Sequence, residues 1–152
     1  MRPASLRQRP ADDIDVEDVG YEAFCDRMLD GVRLLAATGD WYRPHPWLSV
    51  FLPVGEAGRY VTEALPMLTP DAVGPIPMLL YPLRRGPVPA PGLPTPADDG
   101  DGLFYSFSIL RTVSGTAEAV SDAVQSNGEL AEKAVAAGGT VYSISALSTA
   151  RK

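Results

Sequence analysis

The sequence predicts an α+β fold, in which a largely antiparallel sheet is covered by helices on one face. After an opening helix the segments follow the order βαββαβ, without the glycine signature of a strict βαβ unit. A long loop rich in proline and glycine separates the second and third strands, which suits an antiparallel excursion. A chain of 152 residues can bury about two thirds of its unfolded surface, so one domain with a real core is expected.

The first elements follow from apolar periodicity and from the positions of prolines. Apolar side chains recur at three- and four-residue intervals over residues 24–36, which predicts a helix with a core-facing stripe that ends at Gly39. Cys25 lies on this helix and is expected to be a small buried residue. Residues 47–52 are partly aromatic and β-branched, so they predict a strand. Residues 56–65 predict a second helix, which the prolines that follow would end.

The later elements are predicted by strand alternation and by helix caps. Residues 78–83 predict a second strand, and residues 103–113 predict a third strand with one strongly apolar face. That face is expected to pack on helices, and the opposite, serine-bearing face to look toward solvent or toward a site. Thr116 is expected to cap a helix that the pair Gly138–Gly139 closes. Residues 140–147 predict a last strand.

The loop between the second and third strands is expected to have no core of its own. Residues 86–102 hold five prolines, four glycines and three aspartates. A solvated surface loop is the favoured interpretation. A lid over a ligand is the alternative, because long loops on rigid sheets often gate sites.

Composition and charge exclude several classes of protein. The chain has 13 basic and 19 acidic residues and a net charge of -6, so binding to nucleic acid is disfavoured. No apolar run approaches the roughly 18 residues of a membrane span, and the arginines near Met1 precede no apolar core of a secretory signal. A single cysteine excludes an internal disulfide. We therefore expect a cytoplasmic protein with a flexible segment at 1–18, one domain at 19–147 and a tail at 148–152.

Motifs alone assign no chemistry. His45 lies between two prolines, and a lone histidine of this kind is more often a structural hydrogen-bonding residue than a base or ligand. The run DDGDG at 98–102 lacks the downstream glutamate of a calcium loop, and no glycine-rich nucleotide motif is found. The aromatic residues from Trp41 to Phe51 either line a pocket for a planar ligand or fill the core, and core filling is the favoured interpretation.

Several blocks occur in one order between Val19 and Leu147. They are the segment Tyr21 to Arg27, Gly39 and Trp41 with Pro44 to Leu48, Gly74 to Ile76 with Tyr81 and Pro82, Phe104 with Tyr105, and Asn127 ahead of Gly138–Gly139. In order and spacing, these blocks resemble the substrate-binding domain of cytokinin dehydrogenases, which are FAD-linked amine oxidoreductases of the vanillyl-alcohol-oxidase superfamily. Pro77 is a local departure from the family pattern.

This resemblance implies a function and a site. In that family the domain supplies the apolar wall of a slot that holds an N6-substituted adenine with its amine carbon against FAD, so that hydride leaves toward the flavin and the imine is hydrolysed. The resemblance implies that Trp47, Tyr81, Phe104, Ser106 and Ser108 bind the substrate. It assigns no catalytic residue, no metal ligand and no residue that binds the cofactor.

Segments that resemble the family's FAD-binding fold, its flavin-bonded histidine and its catalytic aspartate are not found in this sequence. The expectation is a partial substrate-binding domain that is inactive alone, with a flavin-binding domain and a small planar amine substrate as partners. The alternative is a noncatalytic ligand-binding or interaction module derived from that domain. We also expect the aromatic strand at 103–109 to offer an unpaired edge and to cause self-association of the isolated chain.

Overall fold

The computed structural model describes residues 17–76, 78–86, 93–97, 100 and 102–148. The segment predicted to be flexible, 1–18, and the tail predicted at 148–152 lie almost wholly outside the described residues. The chain divides into two compact units, Met1–Trp41 and Tyr42–Lys152.

The first unit contains two short helices where the sequence predicted one. Helix α1 covers Tyr21–Cys25 and helix α2 covers Leu29–Thr38, and Gly39 ends α2 with a positive φ of 83°. The prediction that their apolar stripe is core is wrong, because neither helix contains a buried residue, and Cys25 is exposed as well. Apart from the start of a 3₁₀ helix at Asp40–Tyr42, the described residues of this unit form only these two short helices, which by themselves provide no layer to bury the stripe.

The second unit is built on a four-stranded sheet. Its strands are β1 (Leu48–Leu52), β2 (Leu79–Arg84), β3 (Leu103–Ile109) and β4 (Thr140–Val141). They lie in the order β2-β3-β1-β4, and all three pairings are antiparallel. With helices α3 (Val54–Ala64), α4 (Pro70–Val73) and α5 (Ala117–Ala136), this architecture confirms the predicted α+β class.

Two strands are shorter than predicted, because other contacts take over their backbone groups. β3 ends at Ile109, after which Thr112 N–H donates to Val73 and Val113 N–H donates to Pro44. β4 has only two residues, although Tyr142 N–H still donates to the carbonyl of Ser49 before the chain turns. After β3 and β4 the chain therefore leaves the sheet, and its backbone groups bond to neighbouring segments.

The strand order also corrects the expectation about association. β3 lies between β2 and β1, and Tyr105–Ser108 are paired on both sides, so β3 is not an edge strand; the edge strands among the described residues are β2 and β4. Arg85 N–H donates to Gly102, so alternation directs the backbone groups of Leu80, Pro82 and Arg84 to the free edge of β2. Pro82 has no N–H to lose there, which is why a proline is tolerated in this strand.

The core lies between one face of the sheet and helices α3 and α5, and this confirms the prediction that the apolar face of β3 packs on helices. Phe107 and Ile109 of β3 belong to the core, and Tyr60 of α3 meets Phe107 edge-on with ring centroids 5.7 Å apart. The Tyr60 hydroxyl donates to the carbonyl of Leu130 at 3.0 Å, which joins the two helices. The other core residues come from β1, from α3, α4 and α5, and from the segment before α4: Leu48, Val50, Leu52, Ala57, Ala64, Leu68, Val73, Leu130, Ala131 and Ala134.

Both ends of α5 are as predicted. The Thr116 hydroxyl accepts the N–H of Ala119 at the N-terminus. At the C-terminus Gly138 has a φ of 77°, and Gly139 N–H donates to Ala134 in a Schellman motif. A Cβ on Gly139 would lie 2.6 Å from the Phe51 carbonyl oxygen, so glycine lets α5 end directly against β1.

Candidate functional site

The face of the sheet opposite the core carries four of the five predicted substrate-binding residues. In the β2–β3 pairing, Tyr81 lies opposite Ser106. Phe104, Ser106 and Ser108 follow one another at every second position of β3, so they share a row. We call this side the serine face, and its residues are Ser49, Phe51, Leu79, Tyr81, Leu83, Phe104, Ser106 and Ser108.

The centre of the serine face is polar and closed. The hydroxyls of Ser49 and Ser108 are 2.9 Å apart and share a hydrogen bond. Ser106 is only 2% exposed and Ser108 only 5% exposed, so this row does not face open solvent, which was one of the two predicted alternatives; the other, a position toward a site, stays a prediction. A serine side chain is short, and its cross-strand neighbours, Phe51 and Tyr81 beside Ser106, rise above it.

One end of the serine face is closed by aromatic rings and by part of the long loop. Phe104 is buried against Phe51, with ring centroids 5.5 Å apart and planes nearly perpendicular, and the Arg85 guanidinium lies 5.4 Å from the Phe104 ring centroid. Arg85 donates to the carbonyl of Pro96, and the Thr140 hydroxyl donates to the carbonyl of Pro94.

These bonds anchor the described part of the loop, residues 93–97, to β4 on one side and to the end of β2 on the other. Pro96 is buried. The prediction of a solvated surface loop is therefore wrong for Pro96, whereas Thr95 and Ala97 are exposed as predicted. These residues cross the end of the sheet. The rest of the predicted loop lies largely outside the described residues.

The side of the serine face at β2 remains accessible. Tyr81 is 44% exposed and Leu79 is 38% exposed, although both belong to a strand of the sheet.

Trp47, the fifth predicted substrate-binding residue, lies one residue before β1 and is 36% exposed. Its ring meets that of His45 edge-on, with ring centroids 6.1 Å apart. The favoured interpretation of the tryptophans as core residues is thus wrong for Trp47 and for Trp41, which is also exposed.

A buried asparagine fixes the backbone around Trp47. The Asn127 amide donates to the carbonyls of Pro46 and Ala146 at 3.0 Å each, and more weakly to that of Trp47 at 3.4 Å. Its oxygen accepts from Nε of Arg111 at 2.9 Å. We call Asn127 and these four partners the asparagine hub. It joins α5 to the start of β1, to the segment after β4 and to the segment after β3.

Arg111 extends the hub to α4. Its terminal nitrogens donate to the Ala72 carbonyl at 2.7 Å and to the Ser126 hydroxyl at 2.9 Å. The side chain is 1% exposed, and burial lowers the pKa of the guanidinium. Sequence reasoning assigned no role to Arg111. The available signal was Asn127 itself, a polar residue in the buried stripe of α5 between Ala123 and Leu130.

The histidine and glycine of the family-like blocks also have structural roles. Nδ1 of His45 and the Thr112 hydroxyl are 3.1 Å apart, in agreement with the interpretation of His45 as a hydrogen-bonding residue. Gly74 has a φ of 84°, and a Cβ there would lie 2.5 Å from the Thr112 carbonyl oxygen. His45 and Gly74 therefore both pack against Thr112 and support the backbone that leads into Trp47.

A separate cleft of about 680 Å³ lies beside Arg111, lined by α4, by the segment after β3 and by the first turns of α5. None of the five predicted substrate-binding residues lines it.

Within the described residues no group of His, Cys, Asp or Glu side chains could hold a metal ion. Among the helices that the structure describes, none combines the length and the apolar composition of a membrane span.

Comparisons with known proteins identify a family. Residues 10–144 match the family model described as cytokinin dehydrogenase 1, FAD and cytokinin binding. The chain is 35% identical over 130 residues to an uncharacterized oxidoreductase, ORF5 in the fasciation locus of Rhodococcoides fascians, a match that covers 86% of the chain and 28% of that protein. It is 37% identical over 106 residues to cytokinin dehydrogenase 2 of Oryza sativa subsp. japonica, covering 67% of the chain and 18% of that protein.

The chain therefore belongs to the cytokinin dehydrogenase family, within its FAD- and cytokinin-binding region. It spans less than a third of the length of these relatives. The predicted resemblance and the implied cofactor, FAD, are both confirmed by the family model.

The described residues fit the flat ring end of FAD better than its diphosphate. Leu79 and Tyr81 present partly exposed apolar surface beside hydroxyls, which suits the flat ring system of a flavin or of a substrate stacked on it. No described glycine-rich turn resembles a diphosphate-binding loop, and Gly74 and Gly138 pack against Thr112 and Pro53. This unit therefore suits the ring end of a flavin site.

Proposed function

We propose that the chain is the substrate-binding part of an FAD-dependent amine oxidoreductase that cleaves N6-substituted adenines oxidatively. The observation that carries the proposal is the apolar and aromatic surface of Leu79 and Tyr81, which remains exposed on the serine face beside a hydroxyl row that includes Ser106. Helices α3 and α5 cover the other face at the central strands, whereas β2 is exposed on both faces, since Leu80 is 48% exposed. Membership of a family described as FAD and cytokinin binding supports the same role.

In this proposal Leu79 and Tyr81 form the wall against which a flat heteroaromatic substrate lies, and Trp47, which precedes β1 on the other side of β3, bounds the site there. Aromatic and aliphatic walls exclude water and restrict the orientation of the ring, so the amine carbon is presented in one direction. When bound, FAD would supply the two-electron chemistry that oxidises this amine. Phe104 lies beneath the wall, where its contacts with Phe51 and Arg85 keep the end of the face rigid.

The hydroxyl groups of Ser49, Ser106 and Ser108 are the polar groups beneath this wall. One of the Ser49 and Ser108 hydroxyls donates to the other, so the remaining hydroxyl hydrogen can be offered to a substrate nitrogen. Because both Ser106 and Ser108 are buried, their neighbours on β2 must shift for a substrate to reach them, Tyr81 at Ser106 and Leu79 at Ser108.

The chain alone is proposed to bind substrate weakly and to oxidise nothing, because a flavin-binding domain provides the other wall and the electron acceptor. A cytoplasmic location is part of the proposal, supported by a single cysteine that cannot form an internal disulfide.

Tryptophan fluorescence tests the binding role. Isopentenyladenine is titrated into the full chain and into two matched variants, Trp47→Phe and Trp41→Phe. We expect saturable quenching in the wild type and in Trp41→Phe, and its loss in Trp47→Phe, where the reporting ring is gone. Quenching carried by Trp41, or no saturation at any concentration, would contradict the assignment of the wall. Saturation by unrelated planar ligands with equal affinity would favour the noncatalytic binding module.

A further inference from the structure

The cleft beside α4 contains a buried positive charge without a counterion. Arg111 is 1% exposed and forms part of the cleft wall. Its three hydrogen-bond partners are neutral, namely the Asn127 amide oxygen, the Ala72 carbonyl and the Ser126 hydroxyl. Among the described residues no carboxylate lies within ion-pair distance of it. A buried cation is costly unless a negative charge compensates it.

Arg111 also has unused donors. A guanidinium has five N–H bonds. Three hydrogen bonds to described residues are formed, one from Nε and one from each terminal nitrogen, which leaves one N–H on each terminal nitrogen. A pair of N–H groups on the two terminal nitrogens is the set with which a guanidinium binds a carboxylate or phosphate group in bidentate fashion.

We propose that this cleft is a binding site for one small oxyanion group, a phosphate or a carboxylate, with Arg111 at its base. Arg43, Thr69, Thr112 and Ser114 are among the other residues that line the cleft. Two exposed acidic residues, Asp71 and Asp122, line it as well. They disfavour polyanions, so the site accepts a single oxyanion group. The cleft shares no lining residue with the proposed substrate wall, so the two sites are tested independently.

Thermal unfolding of the full chain tests this site. Melting is followed in inorganic phosphate, in acetate and in chloride at equal ionic strength, which removes general screening from the comparison. We expect phosphate or acetate to raise the melting temperature saturably, by about 5–10 °C at roughly 100 times the dissociation constant. The ion that saturates at the lower concentration identifies the ligand as phosphate or carboxylate. Equal melting in all three salts would overturn the proposal.

Two charge variants locate the effect. Asp122→Asn removes a carboxylate that lines the cleft and should tighten oxyanion binding about two- to fivefold, because one repulsive charge is gone. Glu132→Gln makes the same charge change on an exposed part of α5 that does not line the cleft, and it should leave the affinity unchanged. Equal affinities in these two variants would refute the site.

Arg111→Gln should abolish the saturable effect where the variant folds. Circular dichroism establishes folding, and a folded variant that still binds oxyanion with wild-type affinity would also refute the site. The Asp122→Asn and Glu132→Gln pair decides the question if Arg111→Gln does not fold.

Discussion

Replacing Asn127 by alanine tests the asparagine hub, because this side chain is fully buried and joins segments about 80 residues apart in the sequence. The substitution removes the donors that serve the carbonyls of Pro46 and Ala146 and the acceptor that serves Arg111. Each buried polar group left without a partner costs about 1–3 kcal/mol.

The expected loss in unfolding free energy follows from these contacts. Two carbonyls and one charged N–H lose partners, while alanine in place of asparagine improves helix propensity by about 0.6 kcal/mol. We expect a net loss of about 3–5 kcal/mol, a large part of the roughly 5–15 kcal/mol that stabilises a typical domain. Gln125→Ala, on an exposed position of the same helix, should stay within about 0.5 kcal/mol of the wild type.

Urea unfolding of the full chain, followed by circular dichroism, measures both variants. The transition midpoint should fall strongly for Asn127→Ala with little change in slope, since the same surface is exposed on unfolding. A loss for Asn127→Ala no greater than about 1 kcal/mol would mean that water or relaxation satisfies the freed groups. The hub would then not hold the segment that presents Trp47.

Three further outcomes are expected. Gly74→Ala should lower the melting temperature, because its Cβ would lie 2.5 Å from the carbonyl oxygen of Thr112. Gly58→Ala has open space around it and should raise the melting temperature, because alanine reduces the entropy of the unfolded chain. A higher melting temperature for Gly74→Ala than for Gly58→Ala would contradict the packing around Gly74. Burial raises the pKa of Tyr60 above its ordinary 10.0, so the stability that depends on its protonated hydroxyl is complete below pH 10.0 and is lost as pH rises beyond it. Tyr60→Phe should cost about 1 kcal/mol at neutral pH but flatten the alkaline decline in unfolding free energy, and an unchanged decline would refute this. Pro82→Val restores an N–H at the free edge of β2 and should increase self-association in light scattering; an unchanged molecular mass would show that the edge is protected otherwise.

Much of the second unit could be predicted from the sequence because its signals are local. The alternation in β3 identified the face that packs on helices, and Thr116 and Gly138–Gly139 fixed both ends of α5. Such features depend on residues a few positions apart. The sequence blocks also identified the family that the model over residues 10–144 confirms.

What could not be predicted depends on contacts between distant segments. Periodicity does not reveal strand order, so the central position of β3 was missed. It also cannot show that Asn127 and Arg111 bind each other across the fold. An apolar stripe on a helix does not state whether a second layer exists to bury it, and the stripe of α1 and α2 is not buried. The roles of Trp47, Tyr81, Phe104, Ser106 and Ser108 in substrate binding stay predictions.

Transplanting the chain into an active relative tests the central claim most directly. Residues 10–144 would replace the matching segment of cytokinin dehydrogenase 2 of Oryza sativa, and oxidation of isopentenyladenine would be measured with an artificial electron acceptor. We expect the flavin-loaded chimera to oxidise this substrate, Tyr81→Ala to reduce its kcat/KM at least tenfold, and Tyr42→Ala, at an exposed tyrosine outside the serine face, to leave it unchanged. A chimera that binds flavin and oxidises no N6-substituted adenine would contradict the proposal that this chain is the substrate-binding part of such an enzyme.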